Sequence, residues 1–231
     1  MAGPGPADAA GFDAVVLAGG TGRRLDGASK PDLRLAGRRL LDHVLAGTAG
    51  ARRVVVVAPA EVAVPDGVAR TLENPPLGGP VAGVAAGLAV LNDGAPAPLV
   101  LVLSCDVPRA ATAVPRLLAA AHADRDVDGA CLLDPAGVPQ WLTAAYRRTA
   151  LVGRLAGQPR GGRGVPVRAL VAGLRLAGVP AVAAEATDVD TWSDLAALAD
   201  LSASGPPAGA PPAGGREAGG RPAGGPGEGS R

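Results

Sequence analysis

Ala14-Val15-Val16-Leu17-Ala18-Gly19-Gly20-Thr21-Gly22-Arg23-Arg24-Leu25, with Lys30 a few residues on, decides how this chain is read. Ala14 to Leu17 is a short apolar run without alternation, the pattern of a strand covered on both faces. The glycines behind it can adopt φ > 0 and let a ligand approach the main chain closely, while Arg23, Arg24 and Lys30 supply charge-assisted donors. A strand that runs into such a turn suits phosphate. The turn is neither G-x-G-x-x-G nor G-x-x-x-x-G-K-[ST], so neither a dinucleotide fold nor a P-loop ATPase follows from it.

The 231 residues carry a formal net charge of +1, which offers no broad basic field for nucleic acid, and 48% of them are apolar, ample for a core. With two Trp, one Tyr and one Phe, that core is built from Val, Leu and Ala. Cys105 and Cys131 sit in apolar segments without C-x-x-C spacing and read as free thiols in a reducing compartment. No apolar run reaches the roughly 18 residues of a membrane span, and the first eleven residues have no signal-peptide pattern, so a soluble, cytoplasmic protein is expected with neither membrane nor nucleic-acid partner.

Along the chain, 1–11 reads as a flexible leader and 202–231, rich in Gly, Pro and Ala, as a disordered tail. Between them one domain is expected over 12–201. Val54 to Val57 and Leu99 to Leu103 are unbroken apolar strands, and Ala69 to Glu73, Gly129 to Leu133, Gln140 to Tyr146 and Ala181 to Ala184 are further strand candidates. Helical spacing marks Leu40 to Ala49, Thr112 to Ala123 with Thr112 as cap, Thr149 to Ala156 and Val167 to Leu176. Gly79-Pro80 opens another helix with glycine as cap and proline in the first position. Thr191 starts the last, with Asp194 three residues on as in a capping box. Strands alternating with helices predict an α/β fold, a three-layer sandwich about a mostly parallel, Rossmann-like sheet.

Ser104-Cys105-Asp106-Val107-Pro108 follows a buried strand directly, a position where open α/β sheets bind ligands. A carboxylate there can hold Mg²⁺, which binds through one or two carboxylates plus substrate phosphates. With a glycine loop and cations nearby, this is equipment for substitution at phosphorus, which needs positioning and charge neutralisation and no protein nucleophile. No Ser/His/Asp or Cys/His arrangement competes. His43, at the edge of an apolar stripe, and His122, in a predicted surface helix, read as structural.

These residues resemble the molybdenum cofactor guanylyltransferases of the nucleotidyltransferase superfamily. The resemblance covers Ala14 to Leu201 and rests on Leu17-Ala18-Gly19-Gly20 with Arg23-Arg24 and Lys30, on Gly79-Pro80-Val81-Ala82-Gly83, on Cys105-Asp106-Val107-Pro108 and on Asp188-Val189-Asp190-Thr191. It implies a fold of the nucleotide-diphospho-sugar transferase type and Mg²⁺-dependent transfer of GMP from GTP to a molybdopterin-type cofactor, with release of pyrophosphate. It also implies transient contact with proteins that make or receive that cofactor. Leu17, Ala18, Gly19 and Gly20 would hold base and phosphates, Lys30 would contact the GTP phosphates, Arg24 or Arg23 would serve the pyrophosphate, and Asp106 would bind the metal.

Three departures qualify the resemblance. Asn74 stands where the family has a nucleotide-contacting aspartate, and an amide is not an equal base-edge acceptor, which weakens the choice of guanine. Ser29 replaces an Asp before the lysine. Asp188 and Asp190 stand at asparagine positions on the acceptor side, which leaves open whether they bind metal or cap the last helix. Trp141 and Arg163 fall in the region expected to form the acceptor pocket, Arg163 on the acceptor phosphate, and both also suit structural roles. Gly19-Gly20 favours guanylyl over cytidylyl transfer. Another nucleotide or acceptor, such as CTP, a sugar phosphate or phospholactate, and nucleotide binding without turnover stay open.

Overall fold

The computed structural model describes residues 11–20, 25 and 27–203; the expected leader through Ala10, Arg23, Arg24 and the expected tail after Ala203 lie outside the described residues. In chain order the elements are β1 (Phe12–Leu17), a small hairpin of β2 (Arg34–Leu35) and β3 (Arg38–Arg39), α1 (Leu40–Leu45), β4 (Val54–Val57), β5 (Ala69–Thr71) and α2 (Pro80–Leu91). There follow β6 (Leu99–Ser104), α3 (Val114–Ala123), β7 (Gly129–Leu133), β8 (Pro139–Arg147), α4 (Arg148–Ala156), α5 (Val167–Val171), β9 (Leu176–Pro180) and α6 (Trp192–Ala203).

Seven strands form one sheet in the order β5-β4-β1-β6-β8-β7-β9. The pairs β5/β4, β4/β1, β1/β6 and β7/β9 are parallel, and β8 runs antiparallel to both β6 and β7. The reversal follows from the turn Asp134 to Gly137, closed by the Gly137 N–H on the Asp134 carbonyl at 2.8 Å, which returns the chain beside β7. The three layers can be read from side-chain alternation. Ala14, Val16, Leu101 and Leu103 pack with α1 and α3, whereas Val15, Leu17, Val100 and Val102 pack with α2, α4 and α5. Helix α2 lies close to the sheet because Gly83 and Gly87 face it: a Cβ on Gly87 would come within 2.7 Å of Val15 Cγ1. Among the described residues no helix is long and apolar enough to cross a membrane.

Several local expectations are corrected. The helix expected over Leu40 to Ala49 ends at Leu45 and tightens into a 3₁₀ turn, Ala46–Thr48. Thr112 is no cap: it lies inside a 3₁₀ turn, Ala110–Ala113, and its hydroxyl donates to the Arg109 carbonyl and to Glu185. The helix expected to reach Leu176 stops at Val171, because Gly173 at φ 81° takes the backbone out of the helical region. Leu176–Pro180 therefore forms the last strand in parallel with β7, and Ala181 to Ala184, expected as that strand, is a turn with Ala183 at φ 51°. The hairpin β2/β3 has no counterpart among the expected elements.

At the amino end of β1, Asp13 is fully buried. Its Oδ2 accepts from the Ala97 N–H at 3.1 Å, from Arg53 at 3.4 Å and from Arg148, which also donates to the Ala97 carbonyl at 2.7 Å and to Asn92 Oδ1 at 3.2 Å. A lone carboxylate here would be very costly, so the cations hold both the charge and the strand that carries it. Arg148→Ala is expected to destabilise the protein by about 3 kcal/mol in urea unfolding, since it strips a buried charge of a close partner; a loss below about 1 kcal/mol would show that Arg53 suffices.

Candidate active site

The site forms where β1 and β6 end side by side. Leu17 pairs with Ser104 in the parallel register, and the Cys105 N–H donates to the Leu17 carbonyl at 2.9 Å. The glycine turn and Asp106 thereby leave the middle of the sheet side by side, at the carboxyl ends of its strands. Leu17 and Ala18 are buried, Gly19 and Gly20 are exposed, and Gly20 has φ 141°, backbone that side chains rarely tolerate. The Ala18 N–H is taken by the Val57 carbonyl at 2.9 Å, which holds the start of the turn against β4.

Lys30 begins a 3₁₀ turn, Lys30–Asp32, with Pro31 buried beneath it. Its Nζ donates to Asp190 Oδ1 at 2.7 Å and lies 3.8 Å from Asp106 Oδ2. The Lys30 side chain is 18% exposed, against 31% for Asp106 and 39% for Asp190, so the three meet at the surface with the lysine lowest. Burial pulls the lysine pKa down, but the Asp190 hydrogen bond and the Asp106 charge outweigh it, and the ammonium titrates above its ordinary value of 10.5. The Asp190 strap is itself anchored: the Val189 N–H donates to the Asp106 carbonyl at 2.7 Å, and Val189 is buried with Leu35, Leu40 and Leu198.

Capping of α6 falls to other residues. Asp194 Oδ2 accepts from the Thr191 N–H at 2.7 Å and the Asp190 N–H at 3.0 Å, and the Asp194 N–H donates to Thr191 Oγ1 at 3.2 Å. This is the expected capping box. The Asp190 carboxylate accepts from Lys30, while Asp188 is exposed.

Asn74 lies apart from this group. It is exposed and lines a cleft of about 220 Å³ between the 73–75 segment, the outward alanines of α2 and the 160–163 turn, a cleft not lined by Lys30, Asp106 or Asp190. Glu73 Oε1 accepts from the Gly78 N–H at 3.1 Å. The Arg163 guanidinium, expected to await an acceptor phosphate, donates instead to the Pro75 carbonyl at 2.7 Å and the Pro76 carbonyl at 3.3 Å. Trp141 is partly buried against the α2-side core, and its carbonyl accepts from the Tyr146 hydroxyl at 2.6 Å. His43 Nε2 bonds the Leu35 carbonyl and His122 Nδ1 the Leu118 carbonyl, both structural contacts. Both cysteines are free and buried; burial, with Asp106 adding to it, pushes the Cys105 thiol far up, so it stays neutral.

What the donor set can hold follows from its chemistry. Asp106 and Asp190 offer hard carboxylate oxygens and already share one cation, the Lys30 ammonium. Among the described residues no group of three or more His, Cys, Asp or Glu gathers in a metal-holding cluster. Two carboxylates suit a hard divalent cation that keeps waters and completes its shell with substrate phosphates, and do not suit a soft or fully caged metal.

Solved structures of other proteins share this fold. Rv0371c from Mycobacterium tuberculosis H37Rv, solved as a complex with manganese, is 19% identical over 82% of this chain and 98% of its own, with a TM-score of 0.63. Molybdopterin-guanine dinucleotide biosynthesis protein A from Archaeoglobus fulgidus is 19% identical over 83% and 98%, with a TM-score of 0.61. The 2-C-methyl-D-erythritol 4-phosphate cytidylyltransferase from Thermus thermophilus is 23% identical over 82% and 98%, with a TM-score of 0.57. At these identities they share the fold. No curated protein matches the chain. Residues 14–189 match the model of the MobA-like NTP transferase domain, and the chain therefore belongs to that family of nucleotidyltransferases.

Proposed function

We propose that this nucleotidyltransferase moves GMP from GTP to the terminal phosphate of a molybdopterin-type cofactor. The meeting of Lys30, Asp106 and Asp190 at the carboxyl ends of β1 and β6 carries the reading. An oxygen of the acceptor phosphate bonds to the α-phosphorus of GTP, the bond from that phosphorus to the bridging oxygen breaks, and pyrophosphate leaves. Asp106, with Asp190 beside it, would hold Mg²⁺, which neutralises charge on the polyphosphate. Lys30 supplies a fixed positive charge to the phosphates, and the exposed backbone of Gly19 and Gly20 lets them approach the carboxyl end of β1. Arg24 is proposed for the pyrophosphate. Leu17 and Ala18 support the base.

Guanine is favoured by Gly19-Gly20 and by Gly79-Pro80-Val81-Ala82-Gly83, which resemble the guanylyl branch. Asn74 favours a second reading, transfer from CTP, because its amide presents both a donor and an acceptor where a carboxylate only accepts. Pyrophosphate release with each NTP, Mg²⁺ and a molybdopterin-type acceptor decides between them: GTP alone supports the first reading, CTP alone the second, and release with none supports nucleotide binding without turnover.

Lys30→Ala and Asp106→Asn are each expected to lower pyrophosphate release by about a thousandfold or more while leaving the melting temperature within a few degrees, since both side chains sit at a solvent-facing edge. Near-normal Mg²⁺-dependent turnover in Asp106→Asn would overturn the metal assignment. The Lys30–Asp190 pair also predicts a pH dependence. Because the folded lysine titrates above 10.5, its stabilisation is complete below that value and is lost as pH rises through the folded pKa. Asp190→Asn should cost at most about 1 kcal/mol at neutral pH, given the partial exposure of the pair. In urea unfolding its gap from the parent protein should close as pH rises through the folded pKa of the lysine.

A further inference from the structure

The segment Glu73 to Gly79 has an unusual construction. Pro75 and Pro76 carry no N–H, so neither can donate a hydrogen bond to fix the segment. Leu77 is exposed and sits in the left-handed region at φ 61°, a conformation that persists only where the surroundings impose it. The surroundings are supplied from far away in sequence. Arg163 uses one planar guanidinium to bond the carbonyls of both prolines, and the Gly164 N–H donates to the Gly78 carbonyl at 2.8 Å. Gly162, at φ 83°, lies so close to α2 that a Cβ would meet Val81 Cγ1 at 2.6 Å and the Val81 carbonyl carbon at 3.2 Å. On the other side, a Cβ on Gly78 would meet Ala82 Cβ at 2.7 Å. The 159–164 turn and the 73–79 segment are thus fitted to each other and to the first turn of α2.

From this geometry we infer that Arg163 is a positioning residue for nucleotide binding: it clamps the segment that carries Asn74 and delivers Gly79-Pro80 to the start of α2. The inference rests on the nucleotide reading given above. Arg163 acts through backbone carbonyls and through Asn74, not by touching the reacting phosphates. Its fork is what the task requires, since two carbonyls on successive residues must be held by one group, and a lysine ammonium lacks the rigid pair of donors. With the clamp removed, the segment must be ordered at the moment of binding, which weakens affinity without altering the reactive centre.

Equilibrium titration of the full-length protein with GTP and Mg²⁺, and with CTP and Mg²⁺, tests this without any acceptor. Arg163→Ala should bind the preferred nucleotide about tenfold more weakly and discriminate less between the two bases. Its kcat at saturating nucleotide should stay within about threefold of the parent. Hydrogen exchange at the Gly78 and Gly164 amides should quicken while the amides of β1 and β6 stay protected. Arg163→Lys should fall nearer Arg163→Ala than the parent, and Arg168→Ala, which removes the same charge from an exposed position on α5, should bind as the parent does. Full recovery in Arg163→Lys, or equal weakening in Arg168→Ala, would mean that charge alone acts and would overturn the clamp. Unchanged affinity in Arg163→Ala would overturn it too while leaving the nucleotide reading intact. A parent protein that binds neither nucleotide would overturn both.

Discussion

The parallel pairing of β1 with β6 is the constraint on which the rest depends. Side chains alternate along a strand, so a slip of one residue would send Val15 and Leu17 to the wrong face and carry the glycine turn away from Asp106. The register is fixed at both ends. At the amino end, Asp13 is buried with Ala97, Arg53 and Arg148 as partners, and a slip of one residue would take its carboxylate away from them. At the carboxyl end, the Cys105 N–H on the Leu17 carbonyl brings the two chains out of the sheet together. A buried charge is weak evidence for net stability, yet here it selects one register from two, and the site inherits its geometry from that choice.

Much of this is legible in the sequence because the signals are local. Val54 to Val57 and Leu99 to Leu103 need no partner to announce a buried strand. Gly79-Pro80 and Thr191 with Asp194 mark helix starts within four residues. Asp106 can be placed at a strand end for the same reason. What escapes depends on tertiary partners: Lys30 and Asp190 are 160 positions apart, and nothing near either one specifies the other. Arg163 suggests a phosphate ligand because an arginine in a glycine loop looks available, and only the folded chain shows the proline carbonyls it serves. The last strand is displaced from its expected place because Leu170, Val171, Leu174 and Leu176 keep helical spacing across Gly173, where backbone conformation overrides pattern.

The buried Cys105 beside the acidic centre illustrates how the fold assigns chemistry. A thiol next to Asp106 invites a nucleophilic reading, but the residue before that aspartate faces the core, in the cluster with Leu103 and Val107. Burial and the neighbouring carboxylate both favour the neutral thiol, the inactive form. The sulfur packs, and the half-buried Asp106 carboxylate next to it faces Lys30.

The charge balance of the site then limits how a nucleotide can enter. Among the described residues, Asp106 and Asp190 place two carboxylates about the Lys30 ammonium, which is already bonded to Asp190. A bare polyphosphate would have to compete with Asp190 for Lys30. On the proposed reading, a polyphosphate that arrived with a divalent cation would ease that competition: Asp106 and Asp190 would hold the cation, and Lys30 would be left to place its charge on the phosphates. On this argument Asp190 is useful because it is a carboxylate. An asparagine there would leave Lys30 less tethered before the ligand arrives and would give the cation one charge fewer to bind, so the same substitution trades order in the empty site against affinity in the filled one.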